Sequence, residues 1–207
     1  MLNAYNRFES NIKQTRVLND VHRFLNQEVK IPIDFDDLLR AQLVYAVSAF
    51  DKLIHDIVRI GLLEIFNGIR PETPKYLNEP FTMSVVNDLR GATLPPASHY
   101  FELAVVQKLK IVSYQDPQKV SDGLSYIWLE KQKWQTIAAE MGHDHNTVKT
   151  TLKLIADRRN MIVHESDLDP FTNEKHAISA QDVDDSINFI EKCGTAIYRL
   201  ITLPTPP

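Results

Sequence analysis

The chain has 207 residues, a formal net charge of −4, 43% hydrophobic and 24% charged residues. That is the composition of a globular protein large enough to bury its own core, and the negative balance excludes a protein that coats nucleic acid non-specifically. The single cysteine, Cys193, excludes an internal disulfide and cannot by itself build a zinc site, and it reads as a small apolar residue of the last helix.

Six glycines, and prolines gathered between periodic segments, predict an almost wholly helical chain. The first helix is expected from about Asn3 to Glu28, ended by the Ile31-Pro32-Ile33 step, with Asp34 as cap of the next. Leu39, Leu43, Ala46, Phe50, Leu53, Ile57 and Ile60 alternate spacings of four and three, which makes one continuous apolar seam on a long second helix. That helix stops by Asn67-Gly68. Residues 69–80 read as a loop, Phe81 to Leu89 as a short helix and Gly91 to Pro96 as a second loop. Ser98 is the expected cap of a helix reaching about Val112, and Asp116-Pro117 turns the chain into a helix over 118–131. Helices over Trp134 to Met141 and Asn146 to Val163 follow, parted by Gly142-His143-Asp144-His145. The last helix runs from about Ser179 to Thr202 on a seam of Val183, Ile187, Ile190, Gly194, Ile197 and Ile201. Ser179 and Asp182 have the spacing of a capping box, with Asp where Glu or Gln is usual. No strand and no internal repeat is expected. Residues 1–203 read as one domain and 204–207 as a disordered tail. With no signal-peptide core and no membrane-length apolar run, the chain reads as cytoplasmic and free of the membrane.

Charge divides unevenly late in the chain. Lys131 to Arg159 carries a net +3, whereas Glu165 to Glu191 carries −7. At the boundary lies Arg158-Arg159-Asn160-Met161-Ile162-Val163-His164-Glu165. Arg159 falls in phase with Val148, Leu152, Ile155 and Ile162. A charge on such a stripe is costly unless it is paired or meets something other than core. Asn160 and His164, four apart, share a helix face. Arg159 and His164 are five apart, about 140° around an ideal helix. They can address one pocket only if the helix ends or bends there, or if a second copy supplies its own pair. The helix dipole favours imidazolium at His164 and Arg159 opposes it, a balance that suits general acid–base chemistry near neutral pH. On residues alone, the other reading is a structural cluster that caps the helix and pairs with Asp157 or Asp167.

The Arg159-Asn160-x-x-x-His164 segment resembles the R-x(4–6)-H motif of the HEPN superfamily, and Ile155 to Glu165 resembles its RiboL-PSP branch in particular. Ala49-Phe50-Asp51-Lys52-Leu53-Ile54-His55-Asp56 on the long second helix and the all-α layout extend the resemblance over most of the chain. It implies an antiparallel helical bundle of HEPN type with extra short helices. It implies a metal-independent endoribonuclease, a toxin or defence effector, in which a homodimer forms a composite site. There the RNA 2′-OH attacks the adjacent phosphorus, His164 is the general acid or base, Arg159 stabilises the phosphorane and Asn160 orients groups. Arg158, Glu165, Asp51 and His55 are supporting candidates. The partners implied are RNA, a second copy and a neutralising antitoxin or regulatory protein, with no cofactor and no metal. The position of a tyrosine that is adenylylated in one subgroup is occupied here by Ser166. Two alternatives stand beside this reading. One is a non-catalytic nucleotide-binding, RNA-binding or protein-interaction module of the same fold. The other is a DNA-binding regulator, because Ile137-Ala138-x-x-x-Gly142-x5-Val148-x3-Leu152 has helix-turn-helix spacing, with Asn146, Thr147, Lys149, Thr150 and Lys153 as groove contacts. Asp51, His55 and Arg59 form a polar stripe that is either a solvated ladder or a second acid–base set facing the Arg159/His164 pocket. His143-x-His145 lacks the companions of a metal site and reads as a solvated loop.

Overall fold

The computed structural model describes residues 1–29 and 32–203. Ile31, within the step predicted to end the first helix, and the predicted tail 204–207 lie outside the described residues. The helices are α1 (Leu2–Phe24), prolonged by a π-turn over Leu25–Val29, α2 (Asp37–Phe66), α3 (Pro74–Leu77), α4 (Met83–Gly91), α5 (Ala97–Leu109), α6 (Pro117–Leu124), α7 (Lys133–Met141), α8 (His145–His164) and α9 (Ala180–Thr202). Among the described residues the only extended pairing is a single antiparallel bridge between Leu168 and Lys175. None of the described helices is long and apolar enough to cross a membrane.

α2 is the axis of the bundle. Ala46, Phe50, Ile54, Ile57 and Val58 on it are wholly buried, because its seam meets α1, α5, α8 and α9 in turn. α1 lies antiparallel to α2. Arg7 donates to Asp56 at 3.1 Å at one end, and His22 and Asp36 pair at 3.1 Å at the other. α9 also runs antiparallel to α1, as the pairs Tyr5–Thr195, Arg16–Glu191 and Asn19–Asp184 show. Gly194 makes this packing possible: a Cβ there would sit 2.6 Å from Phe8 Cζ and 3.0 Å from Leu53 Cδ2.

Several expected boundaries move. Asp36, not Asp34, stands at the N-cap of α2, while the Asp34 carboxylate accepts from the Asp36 amide in a local turn. The 69–80 segment contains α3, with Thr73 as N-cap and Pro74 in its first turn. Pro96 rather than Ser98 precedes α5, and the helix ends at Leu109, short of Val112. α6 stops at Leu124, not near 131, since Ile127 leaves the helix to pack against Gly61. At the start of α9, the Ser179 hydroxyl accepts from the Asp182 amide and donates to the Asp182 carboxylate at 2.6 Å. The capping is therefore reciprocal, but side chain to side chain on the return.

Among the buried polar residues of α2, Gln42 stands apart from Arg40 and Asp56, which are ion-paired. Gln42 is fully buried, and among the described residues neither Nε2 nor Oε1 has a hydrogen-bond partner. An orphaned buried amide carries its full desolvation cost. Gln42→Leu is therefore expected to raise stability by about 1–3 kcal/mol, read as a higher urea midpoint at unchanged slope. A lower midpoint would show that the amide is bonded in solution.

Candidate functional site

The site is built on the last two turns of α8. Asp144 starts that helix by accepting from the Thr147 amide at 3.0 Å, and the helix runs unbroken to His164. Val148, Leu152, Ile155 and Ala156 are buried, so the inward face is fixed by core packing up to the motif. Arg159 follows in the same phase and is half-buried. Its Nε is buried and has no hydrogen-bond partner among the described residues. Its guanidinium reaches sideways instead, donating through Nη1 to Asn160 Oδ1 at 3.1 Å. Asn160 and His164 are exposed and share the outer face by their spacing. The structure thus joins Arg159 to Asn160, and among the described residues it gives His164 no side-chain hydrogen bond. Because α8 neither ends nor bends between them, Arg159 and His164 leave the helix in divergent directions.

Arg158 does something different. It donates to the Asp167 carboxylate at 2.9 Å and to the Ala177 carbonyl at 3.0 Å. Asp167 is completely buried, and the same carboxylate oxygen accepts from Arg40 Nε of α2 at 2.7 Å. Arg40 also donates to the His176 carbonyl at 2.7 Å. Two guanidinium groups on one buried carboxylate pin the segment after α8 to the start of α2. Of the two aspartates weighed as partners for the motif, Asp167 is taken by Arg158, and Asp157 by Lys153 at 3.2 Å. Arg159 has no carboxylate within ion-pair distance among the described residues. Glu165 follows His164 as the C-cap of α8, exposed, without a side-chain bond of its own among those residues.

Asp51 and His55 are tied to another part of the molecule. The Asp51 carboxylate accepts from the Tyr114 amide, and His55 Nε2 lies 3.1 Å from the Val112 carbonyl. The His55 ring meets the Tyr114 ring edge-on at 4.6 Å. Burial pushes the Tyr114 phenol up to about 12, with Asp122 and Asp51 adding to the effect. These residues anchor the α5–α6 connector. The end of α8 meets α2 through Asp167 at Arg40, and Asp51 lies eleven residues, about 16 Å, further along that helix. Arg59 pairs with Glu102 and Asp56.

The helix-turn-helix spacing corresponds to a real turn. Gly142 ends α7 in the left-handed region at φ 72°, and Ile137, Ala138, Val148 and Leu152 fill the core between the two helices. Asn146, Thr147, Lys149, Thr150 and Lys153 are exposed on α8. His143 is exposed and His145 lies 3.5 Å from Asp144. No cluster of three or more His, Cys, Asp or Glu side chains suited to a metal ion occurs among the described residues.

With this geometry in place, comparison with known families is decisive: the sequence matches the RiboL-PSP-HEPN model over residues 9–203. The chain belongs to the RiboL-PSP-HEPN family. A search of curated proteins found no match, and a search of solved structures found none. The matched span contains α2 and the end of α8 that carries Arg159, Asn160 and His164. Proteins of this family are often ribonucleases. The sequence reading weighed Asp167 as a partner but missed its burial, its second arginine, Arg40, and the loop they hold. The only local hint was Arg40 sitting between Leu39 and Leu43 on the seam.

Proposed function

We propose that this protein is a metal-independent endoribonuclease, a toxin or defence effector, whose site is composed across a two-fold dimer from Arg159, Asn160 and His164 of both copies. The observation that carries the reading is the state of Arg159. Among the described residues it is a half-buried guanidinium with an unpartnered Nε, tethered only to a neutral amide, while its neighbour Arg158 is engaged by Asp167 and backbone carbonyls. A cation kept free of carboxylates beside an exposed imidazole suits a phosphodiester.

In the reaction the RNA 2′-oxygen attacks the adjacent phosphorus and the bond to the 5′-oxygen breaks, leaving a cyclic phosphate and a 5′-hydroxyl. At each site His164 is the general acid or base, taking the 2′ proton or delivering one to the departing 5′-oxygen while solvent carries the other transfer. Arg159 stabilises the charge that builds on the non-bridging oxygens. Asn160 accepts from Nη1 and so orients the guanidinium. The divergence of Arg159 and His164 on one straight helix supports a two-copy site, since a two-fold axis beside α8 brings the arginine of each copy toward the histidine of the other. A neutralising protein would have to cover this surface or separate the copies.

The test is cleavage of single-stranded RNA by purified protein in excess EDTA, with products examined for cyclic phosphate ends. The wild type is expected to cleave and Arg159→Ala is not. Equal cleavage by both would mark a contaminant and sink the assignment. Binding without cleavage would leave a non-catalytic RNA-binding module.

A further inference from the structure

We infer that Phe171 is a base-stacking platform that holds single-stranded RNA beside the α8 motif; this rests on the ribonuclease reading and extends it to how substrate is gripped. The Phe171 ring is 92% exposed, the most exposed large apolar side chain among the described residues. Such exposure means little on a loose loop, but this loop is held throughout. Asp169 accepts from the Phe171 and Thr172 amides, each at 2.9 Å. The Asp169 amide donates to the Glu174 carbonyl and the Asn173 amide to the Asp169 carbonyl, also at 2.9 Å. At the base, Asp167 is clamped by Arg40 and Arg158, and Lys175 pairs with Asp37 of α2 at 2.6 Å. The amides of Thr172 and Phe171 hold the Asp169 carboxyl below the usual carboxylate range, as expected for a turn that is bonded when ionised. The loop backbone is therefore ordered before binding, which lowers the cost of presenting the ring.

Its place is next to the chemistry. The Leu168 amide bonds the Glu165 carbonyl at the end of α8 at 3.2 Å, and three residues from Leu168 span at most about 10 Å. The ring is thus within a few nucleotides' reach of His164. What surrounds it selects the partner. Thr172, Asn173 and Glu174, which follow it, are exposed and polar, and Pro170 is its one apolar neighbour in the chain, so the loop does not carry the extended apolar patch that a protein partner buries. A lone flat π face suits a nucleobase. Glu165, Asp169 and Glu174 repel phosphates from the loop itself. The strand must therefore stack a base on Phe171 while its backbone runs on the α8 side, where Arg159, Lys149 and Lys153 lie. Stacking tolerates any base.

The test uses His164→Ala protein, which holds RNA without consuming it, and a fluorescein-labelled single-stranded oligoribonucleotide read by anisotropy. Adding Phe171→Ala is expected to weaken binding about tenfold or more. Adding Phe171→Trp should retain affinity, with an indole emission that RNA quenches. With His164 present, Phe171→Ala should raise KM far more than it lowers kcat. Unchanged affinity in Phe171→Ala overturns the proposal, and so does a change in oligomeric state with RNA affinity intact, which would make the ring a protein contact. Normal cleavage insensitive to Phe171 sinks the platform and leaves the ribonuclease standing. Binding that depends on Phe171 in a wild type that cleaves nothing does the reverse.

Discussion

His164→Ala is expected to lower RNA cleavage by about 10²–10⁴-fold with no loss of folding, because the imidazole is exposed and makes no side-chain hydrogen bond among the described residues. Arg159→Ala should cost a similar factor of about 10²–10³ through the transition-state charge it no longer neutralises. Removing it also removes an orphaned buried Nε, so stability should hold or rise. The two variants together test the composite site in a way neither does alone. If one site takes its arginine from one copy and its histidine from the other, mixing the two inactive proteins rebuilds one intact site in each mixed dimer. Activity should then return to about a quarter of wild type under random reassortment. If both residues of a site come from one chain, every site in the mixture lacks one of them and no activity returns. Recovery therefore reports the geometry of the site, and its absence, with each variant still dimeric, would put the chemistry within a single copy.

Much of the bundle could be read from period alone. The seams of α2 and α9 are long, strict and meet their neighbours along their whole length, so phase and burial coincide. The misses lie where a local signal competes with period. Ile127 continues a helical pattern, yet it is drawn out to fill the space that Gly61 leaves. Thr73-Pro74 is a capping pair whose signal was present and outweighed by the prolines around it. Asp34 and Asp36 are both plausible caps two residues apart, and only the turn between them decides. The motif shows a different limit. Sequence phase put Arg159 on the inner face, and that is where its Nε is buried. Spacing could not say which arginine takes Asp167, because that choice depends on Arg40, 127 residues away. Nor could it show that Asp51 and His55 serve the Tyr114 connector, since helical spacing gives the face of a residue but not what packs against it.

The largest loss of stability is expected at Asp167. The carboxylate is wholly buried and holds Arg40, whose side chain is itself only 7% exposed. Removing one partner of a buried pair leaves the other charge without compensation, at a cost of about 3–5 kcal/mol. Asp167→Ala should approach that range in denaturant unfolding. The backbone adds to it, since Asp167 sits in the left-handed region at φ 59°, after Ser166 at φ 55°, where alanine is disfavoured by about 1–2 kcal/mol. Asp167→Asn separates the two causes. Asparagine tolerates that conformation and keeps an oxygen for one guanidinium, so it should fall between wild type and alanine. Arg158→Ala should cost less than either, because Arg40 still neutralises the carboxylate and the side chain of Arg158 is a quarter exposed. If that order holds, the ion cluster is what fixes the chain leaving α8, and with it the placement of both His164 and Phe171. If Asp167→Ala unfolds at the wild-type midpoint, the cluster holds nothing, and the rigidity on which the stacking platform depends has another source.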